Sequence, residues 1–364
     1  MAPHESREAP GRSGHRGSDP ALVYRAPRAS GCPGSDHRVL SLAARPAAAG
    51  VLMVDSALPV PIKRLNCLSE STMTEASVTT RSVRRIVRGM PTSDGAGVKL
   101  RRVIGQPQLP DLDPFLMLDE FGTDKAEDYI AGFPDHPHRG FETVTYMLDG
   151  RMRHRDNHGN EGVLVPGSVQ WMTAGRGLVH SEMPEQQEGR MRGFQLWLNL
   201  PAREKMTAPK YQEFGPERIP TATPAKGLTV KVIAGNVAGI AGPIKQPATD
   251  PTYLDVALEP GATFVQPLPA DHAAFLYVFE GAVQVGKEAS PVRAHELAVL
   301  SEGEQIRLTG LSAGADGKHA RAIVVAGRPL REPVAKYGPF VMNTREEIQQ
   351  AFEDYQLGRM GEIG

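Results

Sequence analysis

Cysteine is nearly absent from this 364-residue sequence, which contains only Cys32 and Cys67. Both lie within the first 72 residues, so residues 73–364 can form no disulfide and offer no thiolate to a metal. This removes the softest common class of metal ligand from most of the chain. The shortage also fits a reducing compartment, and we expect a cytoplasmic protein.

The sequence also lacks a strong net charge and any long apolar run. The formal net charge is −1, so we expect no general attraction to nucleic acid or to an anionic membrane. No run approaches the roughly eighteen apolar residues that a spanning helix needs, so we expect no membrane partner. In contrast, 38 glycines and 31 prolines against two tryptophans indicate many turns and a β-rich chain.

The first 72 residues differ in composition from the remainder. They contain eight arginines, eight prolines and a single aromatic residue, Tyr24. A segment of this kind buries too little apolar surface to offset the entropy lost on ordering, so we predict a disordered leader. Two origins are open. The composition favours a mis-assigned start codon, with translation beginning at Met73, over a targeting segment.

From Ser82 onward the pattern predicts an all-β fold. Short alternating stretches such as ETVTYMLDG at 142–150 are separated by Gly or Pro about every eight to twelve residues, as in barrels and sandwiches. A second series of such stretches begins near Leu228. The sequence YMLDG at 146–150 matches YVFEG at 277–281 with an offset of 131 residues. This repeat predicts two duplicated β-barrel domains, joined by a Pro- and charge-rich linker at 201–227.

The C-terminal sequence MNTREEIQQAFEDYQLGRMG predicts one amphipathic helix. Thr344 and Glu347 have the spacing of a capping box. Ile348, Ala351 and Phe352 then follow at helical spacing. We expect this helix to pack back onto one of the domains.

Two short motifs carry the chemistry. FPDHPHRGFET at 133–143 contains His136 and His138, and LVHSEMP at 178–184 contains His180 and Glu182. Residues i and i+2 of a strand project from the same face, so each pair can present two donor atoms to one side of a sheet. Facing pairs inside a barrel would form a site of three nitrogens and one oxygen, suited to Fe, Ni, Cu, Zn or Mn. His154 and His158, in RHRDNHGNEG, are interpreted instead as solvated residues of a hairpin turn.

These residues resemble a known family. HPHRGFETVTYMLDG, PGSVQWMTAGRGLVHSEMP and FVMNTREEIQQAFEDYQLGRMG are similar to the motifs of pirins, members of the cupin superfamily, and the resemblance covers roughly residues 83–361. It implies a bicupin in which two β-barrel (jelly-roll) domains lie face to face. The domains would span 83–200 and 228–330, with a C-terminal segment at 331–364 whose helix packs on the first domain.

The resemblance also implies a metal site in the first domain. Its ligands would be His136, His138, His180 and Glu182, and its metal most often Fe(II), with Ni, Cu, Mn, Co or Zn as alternatives. Most cupins differ, with a histidine where Gln170 stands and a glutamate where Thr143 stands. Glu142, one residue earlier, is either an outer group of the site or purely structural.

The second domain is expected to hold no metal. The offset of 131 places Pro267 and Pro269 where the first domain has His136 and His138, and proline has no side-chain donor. His272 and His295 are isolated in the sequence. The second barrel is therefore expected to serve packing or to shield the site.

Two functions follow from the resemblance. One is a dioxygenase that opens a flavonol such as quercetin with O2 and releases CO, in which Glu182 accepts the proton of the flavonol hydroxyl. The other is a metal- or redox-sensing regulator that binds a transcription factor or a metabolic enzyme. The lack of basic patches in 73–364 argues against direct contact with DNA. A purely structural metal is the third alternative and is ranked last, because structural sites usually have a filled coordination sphere and these four ligands would leave open positions on a metal that prefers five or six.

Six further residues are candidates for the surroundings of the site. Trp171, Met172, Phe194 and Trp197 could form an aromatic mouth for a flat ligand or could be ordinary barrel core. Arg139 and Arg176 could orient an anionic substrate or could be solvated turn residues.

Overall fold

The computed structural model describes residues 78–360. The predicted leader at 1–72 and the last four residues of the chain lie outside this range. The strands of the first half are β1 Val83–Arg88, β2 Met90–Asp94, β3 Val98–Ile104, β4 Phe115–Thr123, β5 Phe133–His138, β6 Phe141–Asp149, β7 Met152–Asp156, β8 Glu161–Leu164, β9 Val169–Thr173, β10 Leu178–Pro184, β11 Met191–Asn199 and β12 Lys210–Phe214.

The second half continues the β pattern. Its strands are β13 Thr221–Ala222, β14 Leu228–Ala234, β15 Asn236–Val237, β16 Ile240–Ala241, β17 Thr252–Leu258, β18 Thr263–Pro267, β19 Ala273–Glu280, β20 Ala282–Val285, β21 Ser290–Arg293, β22 Glu296–Leu300, β23 Gln305–Ser312, β24 Ala320–Gly327, β25 Ala335–Tyr337 and β26 Phe340–Met342. The helix α1 spans Arg345–Gln356, and short 3-10 turns occupy Ala126–Asp128, Ala202–Glu204 and Pro216–Arg218.

Each barrel combines a seven-stranded and a four-stranded antiparallel sheet. In the first barrel the orders are β12-β9-β6-β11-β4-β3-β2 and β5-β10-β7-β8. In the second they are β1-β22-β19-β24-β17-β14-β13 and β18-β23-β20-β21. The two sets correspond strand for strand, so the duplicated barrels predicted from the repeat and the bicupin fold implied by the resemblance are confirmed.

The two large sheets pack face to face through a shared apolar core. The rings of Phe115 and Phe275, one from each barrel, meet edge-on with centroids 5.1 Å apart. On β6, Val144 and Tyr146 are fully buried in this shared core. Burying a large apolar side chain contributes about 1.5–3 kcal/mol, so this interface stabilises both barrels together.

The backbone conformation explains why each copy of the repeated motif ends in glycine. Gly150 and Gly281 follow β6 and β19 and have φ values of 84° and 68°. Side chains with a Cβ rarely adopt this left-handed backbone, whereas glycine adopts it readily. The repeat therefore marks equivalent turns at the ends of equivalent strands.

The barrels also exchange edge strands. The predicted first domain begins at residue 83, but β1 pairs with β22 of the second barrel, with Val87 opposite Leu297. Within the predicted linker, β12 pairs with β9 of the first barrel and β13 pairs with β14 of the second. The linker is thus partly sheet, and the domain boundaries drawn from the sequence stay a prediction.

The C-terminal helix begins with the predicted capping box, which is confirmed. The Thr344 hydroxyl accepts a hydrogen bond from the Glu347 backbone N–H, and the Glu347 carboxylate accepts one from the Thr344 N–H. On the first barrel, Arg139 Nη1 lies 2.7 Å from Asp354 Oδ2 of the helix. None of the helices in the described residues has the length and apolar character needed to cross a membrane.

Candidate metal centre

Two neighbouring strands of the small sheet in the first barrel carry the histidines. Strands β5 and β10 pair antiparallel, with His180 opposite His136 and Leu178 opposite His138. The register shifts between His180 and Glu182, and such an irregularity changes where the following side chain points. His138 and His180 are buried, and His136 is half-buried. The site therefore lies inside the barrel with one histidine near its opening.

The three histidines converge. One ring nitrogen from each of His136, His138 and His180 lies within 4.8 Å of the other two. Nε2 of His136 is 3.0 Å from Nε2 of His138. Two nitrogens bound at about 2.1 Å to one ion, at a right angle to each other, would be about 3.0 Å apart. This spacing is compatible with a shared ion.

The buried histidines are held in the form that binds metals. Burial, followed by the neighbouring His136 and His180, lowers the pKa of His138 well below its ordinary value. Burial, followed by His136 and His154, does the same for the pKa of His180. Both rings are therefore neutral at neutral pH, and neutral imidazole is the ligand form.

His180 gives the clearest indication of what the cluster can hold. It is 2% exposed, and within residues 78–360 neither of its ring nitrogens has a hydrogen-bond partner. A buried polar group left without a partner costs about 1–3 kcal/mol. A metal ion bound by the three imidazoles would satisfy one of these nitrogens, so the residues present fit such an ion.

Glu182 lies beside this group but is not among the three converging residues. It is 5% exposed, and its Oε1 is 2.9 Å from the Thr145 hydroxyl. The same hydroxyl is 2.7 Å from Gln195 Oε1. Because a hydroxyl has one proton to donate, Thr145 can bond to only one of these two acceptors at a time.

The interpretation of His154 as a solvated turn residue is wrong. It lies on β7 directly opposite Glu182 and is 4% exposed. Its Nε2 is 2.7 Å from the Glu213 carboxylate, which also accepts a hydrogen bond from Gln170 Nε2 at 2.8 Å. The strand continues further than the polar composition suggested, and alternation turns this ring into the barrel. His158 does lie in the turn, where its N–H donates to Asp156.

The four candidates for an aromatic mouth separate onto the two faces of the large sheet. Trp171 and Phe194 belong to the shared core between the barrels and do not face the histidines. Met172 is buried with Ala174 and Leu178. Trp197 is half-buried, and its ring centroid is 5.3 Å from that of His138. Of the four, Trp197 is thus placed to contact a ligand.

Of the two candidate arginines, Arg139 is engaged elsewhere and is not available to orient a substrate. Arg139 is 4% exposed, its Nη1 pairs with Asp354, and its Nε donates to the Arg176 carbonyl at 2.6 Å. Arg176 is half-buried, and its Nε has no hydrogen-bond partner within residues 78–360, so Arg176 stays a candidate. Arg139 therefore fastens the C-terminal helix to the turn that follows His138.

Glu142 is structural. It points to the opposite face of β6 from Thr143 and Thr145. Its side chain is fully buried and accepts hydrogen bonds from Thr173 and Gln246. Burial raises the pKa of this carboxyl despite those hydrogen bonds. Within residues 78–360 the histidine cluster is the one group of three or more potential ligands that converge.

The double barrel and the histidine cluster define the class of protein: a bicupin with a candidate metal centre in its first barrel. Family models described as "Pirin" and "Pirin C-terminal cupin domain" match residues 97–198 and 253–361. A pirin-like protein of Caulobacter vibrioides is 56% identical over 280 residues, covering 77% of this chain and 99% of that protein. The chain belongs to the pirin family.

Two further comparisons extend this result. Human pirin is 46% identical over 273 residues, covering 74% of this chain and 90% of that protein. The crystal structure of a quercetin 2,3-dioxygenase from Acinetobacter baumannii superposes with a TM-score of 0.70 and 32% identity, covering 78% of this chain and all of that one. The resemblance seen in the sequence is therefore confirmed at the level of the family.

Proposed function

We propose that His136, His138, His180 and Glu182 hold one divalent transition metal, most favourably Fe(II), and that the protein is a flavonol dioxygenase. The observation that carries the proposal is the convergence of three neutral imidazoles around the buried, unpartnered nitrogens of His180. The likeness to the Acinetobacter quercetin 2,3-dioxygenase supports the substrate class. When bound, the metal would supply Lewis-acid activation of the flavonol hydroxyl and the reaction with O2, with release of CO.

The residues around the histidines have separate tasks in this proposal. Trp197 offers the face of a ring near His138 for contact with a flat aromatic substrate. Glu182 accepts the proton of the substrate hydroxyl, and Thr145 orients the carboxylate from 2.9 Å. A carboxylate that is both ligand and base must leave the ion at one stage, so Glu182 should affect turnover more than metal content.

Oxygen uptake and CO release with quercetin test the proposal. The full chain, loaded with Fe(II) and analysed for iron content, is compared with His180→Ala, Glu182→Gln and the control His319→Ala in an exposed turn of the second barrel. We expect turnover in the native chain and the control, loss of iron and turnover in His180→Ala, and retained iron with at least about 100-fold lower turnover in Glu182→Gln.

The alternative is a metal-sensing regulator that binds a protein partner. Protein shown to contain about one iron per chain but giving no oxygen uptake would reject quercetin as substrate and favour this alternative. Turnover that persists in iron-free His180→Ala would contradict the ligand set itself.

A further inference from the structure

A polar cavity, separate from the histidine cluster, lies at the seam between the two barrels. It has a volume of about 270 Å³ and is lined by charged side chains of both barrels. At about 30 Å³ per water molecule, it has room for a small ion with several waters. The lining residues are Lys99, Leu100, Arg101, Glu120, Gly122, Thr123, Asp124, Asp128, Arg190, Arg192 and His295.

The buried base of this cavity is one of two related hydrogen-bonded groups. The repeat-equivalent tyrosines each donate across the interface to a carboxylate of the other barrel. Tyr146 donates to Asp255 at 2.7 Å, and Tyr277 donates to Glu120 at 2.6 Å. Each carboxylate also accepts a hydrogen bond from an arginine on the adjacent strand, Arg321 for Asp255 and Arg192 for Glu120. This shared pattern adds two matching polar links to the apolar interface between the barrels.

His295 is an addition found in one of the two groups. It occupies the position equivalent to Gly167, because the His295 N–H donates to the carbonyl after Tyr277, as the Gly167 N–H does to the carbonyl after Tyr146. Both residues have left-handed backbones, with φ values of 68° and 89°. Glycine adopts this conformation freely, whereas a residue with a side chain is strained there. The imidazole is thus present in spite of a conformational cost.

The ring of His295 is oriented toward the cavity. Its Nδ1 is 3.2 Å from Glu120 Oε2, and 37% of the side chain is exposed. With Nδ1 donating to the carboxylate, Nε2 is left for a ligand: it donates to an anion as imidazolium, and as neutral imidazole it accepts from a protonated phosphoryl oxygen. Arg192 and Tyr277 fill the other acceptor positions of Glu120, so this carboxylate is fully used.

Two cationic side chains of the cavity make no ion pair within residues 78–360. Among the described residues Lys99 makes no hydrogen bond or ion pair, and Arg101 makes a single hydrogen bond, to the Gly89 carbonyl. Gly89 also donates its N–H to the His295 carbonyl, so one residue holds both Arg101 and His295 in place.

The acids that line the cavity do not form a competing cation site. Asp124 is 3.7 Å from Arg190, and Asp128 is 3.2 Å from the Thr123 hydroxyl. No converging group of potential metal ligands includes these acids within residues 78–360. Asp128 is the one carboxylate of the lining that makes no ion pair within residues 78–360, so two unpaired cations against one unpaired carboxylate favour an anion.

We propose that this cavity is an anion site that binds a phosphoryl group, contacted by Lys99, Arg101 and His295. Lys99 and Arg101 come from β3 of the first barrel and His295 from the second, so donors on two elements line one cavity, which suits the several terminal oxygens of a phosphoryl group. A planar carboxylate would be matched by a single guanidinium fork. Free phosphate and the phosphate of a small metabolite share this chemistry, and the site does not depend on the proposed dioxygenase activity.

Titration of the full chain with inorganic phosphate, followed by phosphorus-31 NMR and calorimetry, tests the proposal without any metal. The variants are Arg101→Ala and His295→Gly, the second of which removes the ring while relieving the left-handed backbone. Lys287→Ala, an exposed lysine elsewhere on the second barrel, is the control. We expect saturable binding that weakens at least about tenfold, or 1.4 kcal/mol, in both variants and is unchanged in the control.

Two comparison ligands identify the class and the source. Glycerol phosphate that binds more tightly than inorganic phosphate would indicate a phosphorylated metabolite, and the reverse order would indicate free phosphate. Acetate that binds as tightly as either would overturn the phosphoryl assignment. Absence of saturable binding, or equal binding by all variants, would overturn the site itself. The melting temperature of His295→Gly checks that the variant is folded.

Discussion

The two barrels have corresponding strands but different interiors. In the first barrel, β5 and β10 turn His136, His138 and His180 inward. In the second barrel, β18 and β23 occupy the same places in the small sheet, and their buried side chains include Ile306 and Leu308. One fold therefore supports either a cluster of buried histidines or a continuous apolar core, and the residues on two strands decide between them.

The contrast also suggests a division of tasks. The interior of the second barrel is an apolar cluster of buried aliphatic side chains, which contributes stability through burial. The interior of the first barrel contains neutral histidines and a buried carboxylate, and such groups cost free energy unless they are bonded. Apolar burial against the second barrel offsets part of this free-energy cost in the first barrel.

The largest expected effect is on metal content. His180→Ala removes one of three converging nitrogens, and we expect the affinity for Fe(II) to fall by at least about 100-fold, because even the loss of an outer partner costs 10–100-fold. Equilibrium dialysis with metal analysis measures it. The His272→Ala variant of the second barrel should keep its metal, and equal loss in both would break the assignment to the first barrel.

The second expected effect is on stability alone. Leu308→Ala leaves a cavity in the apolar interior of the second barrel, where Leu308 is 0% exposed. We expect the free energy of unfolding to fall by about 2–5 kcal/mol, while the metal content of the folded protein stays the same. Urea unfolding measures the loss. A variant that unfolds normally but releases its metal would show that the two interiors are coupled.

The third expected effect is a loss of stability when the buried Lys205 of the first barrel is replaced. Lys205 is 1% exposed, and its Nζ donates to the Gly140 and Val341 carbonyls and to Asn199 Oδ1. Lys205→Met leaves these three acceptors without a donor, and we expect a loss of about 3 kcal/mol in the free energy of unfolding. Urea unfolding at neutral pH measures it.

The same lysine predicts a pH dependence. Burial, partly offset by Glu332 and Glu347, lowers the pKa of Lys205 to about 8, below its unfolded value of about 10.4. Between these two values the unfolded chain binds more protons, so stability rises with pH there, by at most about 1.4 kcal/mol per unit. Below pH 8 both states are protonated and the contribution is flat. Lys205→Met should lack this rise, and parallel curves for the two proteins would contradict the assignment.

The smallest expected effect is on the KM for quercetin, and it differs between tryptophans on the two faces of one sheet. Trp197 faces the histidines and Trp171 faces the shared core, so Trp197→Leu should raise the KM for quercetin by about 5–10-fold, or about 1 kcal/mol. Trp171→Phe should leave that KM unchanged and lower the melting temperature. Steady-state kinetics and thermal unfolding separate the two outcomes. Equal effects on KM would show that the sheet does not divide these roles.

The sequence did not reveal which face of the large sheet each strand residue points to. Alternation places Trp171 and Phe194 on one face and Trp197 on the other. Both faces of the large sheet are buried, one in the barrel and one against the partner barrel, so hydrophobicity does not reveal which face holds the site. His154 was missed for a related reason, because a polar turn composition hid the last residues of a strand.

The linear sequence was sufficient for the features that depend on local pattern. Strand alternation, the left-handed glycines of the repeat, the capping box of α1 and the i,i+2 spacing of the histidines are all set by neighbours within a few residues. The family followed from the same motifs. The role of the three histidines and Glu182 as metal ligands remains a proposal.

Only the tertiary structure decided which distant segments meet. The pairing of β1 with the second barrel, the ion pair of Arg139 with Asp354 and the crossed bonds of Tyr146 and Tyr277 join residues far apart in the chain. Such contacts depend on the packing of two complete sheets, and no short stretch of sequence encodes its own distant partner. The cavity that contains His295 exists for the same reason, because its walls belong to different barrels.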